Sequence, residues 1–490
     1  MTRSPLPLVF ALALALAGCG KPRPDDIPVE VSAIGGPAVA ADPSRGPLDT
    51  PQAVRMYATA QGLVRFDANG QIVAGLAERW IVIDEGRSYI FRLRDAEWTD
   101  GTPVTAAQVA QLLGRAIAPR TRNQLAPSLR VIDEIVEMTP QVIEVRLRQP
   151  RPDMLNLFAQ PELAIFRVGE LDGSGPFRVT EEEDGALLLS PAFDPTRTQA
   201  EADPREPRPV EQVRLRGERA AVALARFMAR RSDLILGGSF VDWPLVDIAG
   251  VDSAQVQFDP AEGLFGLAVV ERDGFLETAE NRAAIAMSID RAGMTGAVLD
   301  AWTPSETLLP VQLDSAAEPA QPDWRSQTLE ERRVVARRRV ALWRREHDGA
   351  PPRLRIALPY GSGANRVWAY IGNALLRIGI QPVRVPLNGD ADLRLIDAVA
   401  PYDSARWYLG TACRVCSPDA QAALEAARKA GTIEERAQRI AEADALLTRD
   451  AAFIPLAKPL RWSIVAPRLD AWQGNPRAWH PLDQLRNDSK

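Results

Sequence analysis

Glu97-Trp98-Thr99-Asp100-Gly101-Thr102-Pro103-Val104-Thr105-Ala106-Ala107-Gln108-Val109 reads as a strand end, a tight turn and a helix start in one run. Asp100-Gly101 supplies the turn, because glycine accepts backbone angles that other residues avoid. Thr105 with Gln108 three residues later predicts a capping box. Val109, Leu112, Leu113, Ala116 and Ile117 then recur at helical spacing and predict one apolar face.

Upstream, Tyr57 to Phe66 carries a short strand pattern, and Asn69-Gly70 is a hairpin signal. Trp80 to Asp84 continues in strand-like composition, with a turn at Glu85-Gly86. Tyr89, Phe91 and Leu93 alternate with Arg92 and Arg94 as a half-buried strand does, and Val142 to Leu147 repeats that pattern. The first third of the chain is therefore expected to be an α+β unit.

Further on, Gly173-Ser174-Gly175-Pro176-Phe177 marks a backbone crossing that needs close approach or unusual angles. Pro191 to Pro209 is polar and proline-rich, an irregular loop. Val213 to Leu215 and Leu234 to Leu236 bracket a helical Ala220–Arg230. Asp290 is placed to cap a helix, and Glu330 to Glu346 predicts an arginine-rich, salt-paired helix. Gly379 suits the end of a helix over 365–378, Thr432 with Glu435 reads as another capping box, and Phe453-Ile454-Pro455-Leu456 as a short strand. Trp80, Trp98 and Trp302 read as packing residues.

At 490 residues the chain is too long for one ordinary core and predicts two or three domains. A net charge of −6 argues against nucleic acid as partner, whose footprint is a basic excess. Lysine occurs only at Lys21, Lys429, Lys458 and Lys490, so nearly all positive charge is arginine, a skew read as codon bias.

Residues 1–18 carry Arg3 and an apolar run from Leu8 to Ala17, the layout of a secretory signal peptide and too short for a membrane span. Leu16-Ala17-Gly18-Cys19 also looks like a lipobox, in which cleavage makes Cys19 the lipidated first residue; a plain signal peptide with an incidental cysteine is the alternative. Two or more acyl chains give stable anchoring, and residues 19–30 suit a tether. Export places Cys413 and Cys416 in oxidising surroundings, where a local disulfide is favoured over metal binding. A zinc or nickel site wants more cysteine or histidine than a chain whose only histidines are His347 and His480. No metal, cofactor or catalytic residue is expected.

Several segments together resemble one family in order along nearly the whole chain, the extracytoplasmic solute-binding proteins of peptide-type ABC importers. Gly62-Leu63-Val64-Arg65-Phe66-Asp67 with Gly75-Leu76-Ala77-Glu78-Arg79-Trp80 is similar to that family's "gLvrfd…pgLAesW". Ser88 to Leu93 resembles "tytfhLr", and it leads into Trp98-Thr99-Asp100-Gly101-Thr102-Pro103. Gly173 to Phe177 resembles "GtGPy", Arg282 to Arg291 "vRqAishAiDR", Ile378-Gly379-Ile380 "kiGi", and Ile454-Pro455-Leu456 "iPL". The resemblance implies an α/β, large two-lobed periplasmic-binding-protein fold with an inserted subdomain, of the type II, cluster C-like form. Residues 31–59 with 164–259 and 460–490 would form lobe I, 60–163 the inserted α+β subdomain, and 260–459 lobe II.

The resemblance also implies a ligand enclosed between lobes, a short peptide or other small solute, delivered to an ABC permease and its ATPase subunits. The protein would be a monomeric, membrane-anchored lipoprotein on the periplasmic side of the cell envelope. A buried ammonium needs a carboxylate, which the family places in a "gW…aDy.DP" stretch. The matching segment here, Leu395 to Asp403, puts Ala398 at the Trp and Pro401 at the Asp, so the carry-over fails at both positions. Asp397 and Asp403 are the substitutes within reach, either of them equally a turn residue. Tyr57, Tyr402, Trp407 and Tyr408 are the aromatic cleft candidates, with core packing as their alternative. A sensing, chaperone or scaffold role on the same fold is the second functional expectation. An exported hydrolase is disfavoured, because G-x-S-x-G and H-E-x-x-H are absent, and without a Walker A sequence ATP hydrolysis is expected of partner subunits.

Overall fold

A computed structural model describes residues 26–192, 207–311 and 313–486. The expected signal peptide and Cys19 lie outside the described residues, as do most of the expected tether and of the expected Pro191–Pro209 loop.

Alternation of side chains decides how the largest sheet is covered. It has seven strands, in the order 256–258, 461–465, 234–239, 29–34, 213–218, 186–191 and 177–183. Val29–Ile34 runs parallel to both its neighbours, and the other pairings are antiparallel. Leu234 and Leu236 face one way, onto Val54 and Ala58 of the helix Thr50–Thr59. Ile235 faces the other way, into a core shared with Ala223, Leu224 and Phe227 of the helix Ala220–Met228.

The second sheet has five strands, ordered 381–385, 353–357, 393–399, 263–269 and 453–457. Phe265, Leu267 and Val269 of its Gly263–Val269 strand join the core that holds Ile235. Leu264 and Ala268 point oppositely, under the helices Ala405–Ala412, Pro418–Lys429 and Ile433–Asp450. A third, antiparallel sheet orders 77–83, 88–93, 142–147 and 132–139. Tyr89, Phe91, Leu93, Ile143 and Val145 on it pack against Val109, Leu113 and Ala116 of the helix Ala106–Ile117.

These sheets make the two-lobed periplasmic-binding-protein fold with its additional subdomain. The chain passes between the first two sheets at residues 259–262 and again at 458–460. Entry to the third sheet is pinned at Thr59, whose carbonyl accepts from Gly173 N at 3.2 Å and Gly175 N at 3.0 Å. A Cβ at Gly175 would lie 2.5 Å from the Thr59 carbonyl carbon, so only glycine fits the crossing.

The opening stretch folds as its residues predict. Thr105 and Gln108 cap the helix reciprocally, and Gly101 takes φ +79°. Asp100 accepts from Thr102, and Arg167, distant in sequence, donates to Asp100 at 2.6 Å and lies over the Trp98 ring. That bond to Arg167 holds the Asp100 carboxyl well below the usual range.

Two local expectations need correction. The strand predicted over Tyr57–Phe66 is confined to Val64–Phe66, and Tyr57 sits in the helix Thr50–Thr59. The overlooked signal is Asp49 with Gln52, a full capping box, followed by Pro51 at a first-turn position. At Thr432 only half a box forms. The Thr432 hydroxyl accepts from Glu435 N, while the Glu435 carboxylate accepts from Gly431 N instead.

Candidate functional site

The strand Leu393–Val399, the loop 400–404 and the helix Ala405–Ala412 carry five of the six candidate ligand residues to one seam. On its far side lie the third sheet, the end of the first sheet and the segment 475–480.

Asp397 pairs across the seam. Its Oδ1 accepts from Arg461 Nη1 at 2.8 Å, and its carbonyl accepts from Arg461 Nη2 at 3.3 Å. Arg461 opens a strand of the first sheet, so this ion pair joins the two lobes beside both chain crossings. Burial pushes the Asp397 carboxyl pKa up, and Arg461 pulls part of that back. A second bridge at the crossings joins Lys458 to Glu262.

Asp403 is also taken. Its carboxylate pairs with Arg477, whose Nη1 donates to Ala400 O at 3.2 Å. The Arg477 side chain is 7% exposed and that of Asp403 63%, so the arginine is the buried partner.

Tyr402 comes from the second lobe yet belongs to the core of the third sheet. Its ring is buried there, its hydroxyl and that of Ser128 share a hydrogen bond at 3.1 Å, and the Arg151 guanidinium lies 5.4 Å from its centroid. Gln160 Nε2 donates to Pro401 O at 3.0 Å on the same seam. Trp407 is half-buried and reaches both adjoining cores. It meets Tyr408 edge-on with centroids 5.0 Å apart. Tyr408 is 2% exposed, and burial raises its phenol pKa.

Tyr57 arrives from the first lobe. Its hydroxyl accepts from Phe66 N at 2.6 Å, and its ring meets Trp479 edge-on at 5.1 Å. Burial pushes its pKa up to about 12. Trp479 lies two residues beyond Arg477, so Tyr57 borders the segment that holds Asp403. All six candidates thus lie along one seam, four of them as packing or bridging groups with their polar atoms already engaged.

Sequence reasoning missed Arg461, Arg477, Arg151 and Trp479. Each acts on a residue distant in sequence, so no local spacing reports it. The near-replacement of lysine by arginine, read as codon bias, was the available signal, since arginine is the residue suited to buried, forked pairing.

Cys413 and Cys416 are joined by a disulfide in the loop after Ala405–Ala412. Among the described residues no group of three or more histidine, cysteine or carboxylate side chains could hold a metal ion. His347 stacks on Trp343, and His480 bonds Asp259. The chemistry on offer along the seam is charge pairing and aromatic contact.

A family model described as "Bacterial extracellular solute-binding proteins, family 5 Middle" matches residues 71–337, more than half of the chain. The chain belongs to that family. Family 5 consists of binding proteins. The Escherichia coli "Probable deoxycholate-binding periplasmic protein YgiS" is 33% identical over 143 residues, covering 24% of this chain and 26% of that one. The "Periplasmic murein peptide-binding protein MppA" of the same species is 27% identical over 279 residues, 49% of each chain. The chain therefore spans a quarter to a half of the length of these curated relatives. Haemophilus influenzae OppA, solved in complex with RPPGFSPFR, superposes with a TM-score of 0.76 at 16% identity, covering 93% of this chain and 98% of that one. At that identity the likeness is one of fold. Among the described residues no helix is long and apolar enough to cross a membrane.

Proposed function

We propose that this family 5 protein is the lipid-anchored solute-binding component of an ABC importer. It captures a small solute, a short peptide first among candidates, between its lobes and delivers it to a membrane permease. Family membership carries this reading, together with two lobes joined by a pair of short crossings at 259–262 and 458–460. Such an arrangement lets lobes rotate about ligand, and a ligand shifts the open–closed equilibrium by its differential affinity for the closed form. Residues 31–59, 164–259 and 460–490 form lobe I in this reading, 260–459 lobe II, and 60–163 the inserted subdomain. Cys19 carries the lipid and holds the protein as a monomer on the periplasmic side of the envelope. ATP hydrolysis belongs to partner subunits.

One observation favours a second reading, a sensing, chaperone or scaffold role. Both carboxylates available for a peptide ammonium, Asp397 and Asp403, are paired with arginines of the other lobe. Native mass spectrometry of the exported protein lacking Cys19, followed by denaturation, separates the two. A series of released short peptides supports peptide capture, and one non-peptide mass supports another solute class. A protein that stays empty after exposure to a peptide pool, a bile-acid set and an amino-acid conjugate set supports the second role.

A further inference from the structure

Three arginines converge where the inserted subdomain meets the second lobe. Arg151 follows the strand Val142–Leu147, Arg406 lies in the first turn of Ala405–Ala412, and Arg436 in the first turns of Ile433–Asp450. Arg151 and Arg436 are 3% and 7% exposed. Arg436 Nη1 donates to Pro150 O at 3.1 Å, across the same seam. Arg151 reaches Asp153 at 3.5 Å and lies over the Tyr402 ring.

Arg406 differs from both. Its Nε is buried without a hydrogen-bond partner, and no carboxylate among the described residues pairs with it. Burial first, then the charges of Arg151 and Arg436, push its pKa down to about 10, and Tyr402 and Asp153 offset only part of this. It is still cationic at neutral pH. Of the three guanidinium groups, only that of Arg151 reaches a carboxylate among the described residues, Asp153.

Burying like charges without a counter-charge is costly. Helix position aggravates it, because the N-terminal turns that carry Arg406 and Arg436 are the positive ends of their helices. Each of these features becomes favourable once an oxyanion enters. Guanidinium forks match carboxylate and phosphate groups, and helix N-termini receive them.

We propose that Arg151, Arg406 and Arg436 form an oxyanion site, taking a carboxylate or phosphate-type group and tying the inserted subdomain to the second lobe. The group belongs either to the captured solute, which rests on the solute-capture reading above, or to a free anion. These arginines are not the ones that pair with Asp397 and Asp403, which are held by Arg461 and Arg477.

The test uses the exported chain and its Arg406→Gln variant, which removes a side chain that makes no ion pair or hydrogen bond among the described residues. Melting temperature is followed against inorganic phosphate and against citrate, with sodium chloride holding ionic strength constant. A saturable rise in the parent protein, reduced at least tenfold in apparent affinity by R406Q, is expected. Lack of any rise beyond the chloride control in the parent overturns the proposal. So does an equal rise in both proteins. Native mass spectrometry then distinguishes the sources. Loss from R406Q of anionic solutes alone assigns the group to the solute, whereas unchanged solute content with lost phosphate stabilisation assigns it to a free anion. The phosphate titration is readable even if no solute is ever found, so failure of the importer reading and failure of the site stay separate.

Discussion

Replacing Asp450 by Asn tests what the Arg282 of the "vRqAishAiDR"-like segment is for. Asp450 ends the helix Ile433–Asp450, and its carboxylate accepts four hydrogen bonds. Arg272 supplies two, at 3.1 and 2.7 Å, Arg282 one at 2.6 Å, and Ser417 N one at 2.9 Å. Arg282 is 1% exposed, and its other nitrogens donate to the carbonyls of Asp450, Leu276 and Glu277. Burial lowers the Arg282 pKa, so the charged form depends on Asp450 for compensation. Asp450→Asn keeps the shape and removes the charge. Two guanidinium groups then face an amide, and breaking a buried pair in this way costs about 3–5 kcal/mol. An exposed control, Glu442→Gln, breaks the pair with Arg439 and costs about 0–1 kcal/mol. Guanidinium-induced unfolding followed by tryptophan fluorescence compares the midpoints, with Arg272→Gln and the double variant completing a cycle. Arg272→Gln alone is expected to cost less than D450N, because Arg282 retains its carboxylate. If D450N shifts the midpoint no more than E442Q does, the network does not hold the second lobe and the reasoning fails.

Asp444 is buried with one carboxylate oxygen unpaired, and burial pushes its pKa up to about 6. The folded state thus holds this proton more tightly than an ordinary carboxyl near 3.8. Its stabilising contribution is complete below that value and is lost as pH rises through 6, by about 3 kcal/mol at most. Asp444→Asn should therefore melt above the parent at pH 7.5 and level with it at pH 4; a constant difference across that range excludes the carboxyl as cause. Gly175→Ala forces a Cβ against the Thr59 backbone and should cost about 1–3 kcal/mol, read as a lower melting temperature; an unchanged value would show that the crossing can relax. Arg477→Ala frees Asp403 and removes the donor to Ala400 O. Small-angle scattering should then give a larger radius of gyration, and an identical curve would mean the pair does not hold the lobes together.

What could be read from the sequence divides by distance along the chain. The Asp100-Gly101 turn, the Thr105–Gln108 box, the Asp290 cap and the Gly379 helix end depend on residues within a few positions, and all four form. Tyr57 failed because the Thr50–Thr59 helix is buried nearly all round, so its apolar residues show no one-sided stripe. Arg167 on Trp98, Arg461 on Asp397 and Arg477 on Asp403 depend on how sheets are stacked, which no local pattern encodes. The candidate seam was therefore legible as a segment, Leu395 to Tyr408, while the arginines that answer it were not.

The strand Arg461–Val465 lies between 234–239 and 256–258, two strands made much earlier. Synthesis runs from the N-terminus, so the seven-stranded sheet must wait for the whole of the second lobe before it can close. Until then 234–239 has an open edge, the kind of surface that recruits the wrong chain. The strand Arg461–Val465 is thus a keystone laid only after the second lobe has been made. A ribosome that stops short of Arg461 releases a first lobe with its sheet unfinished, a substrate for quality control.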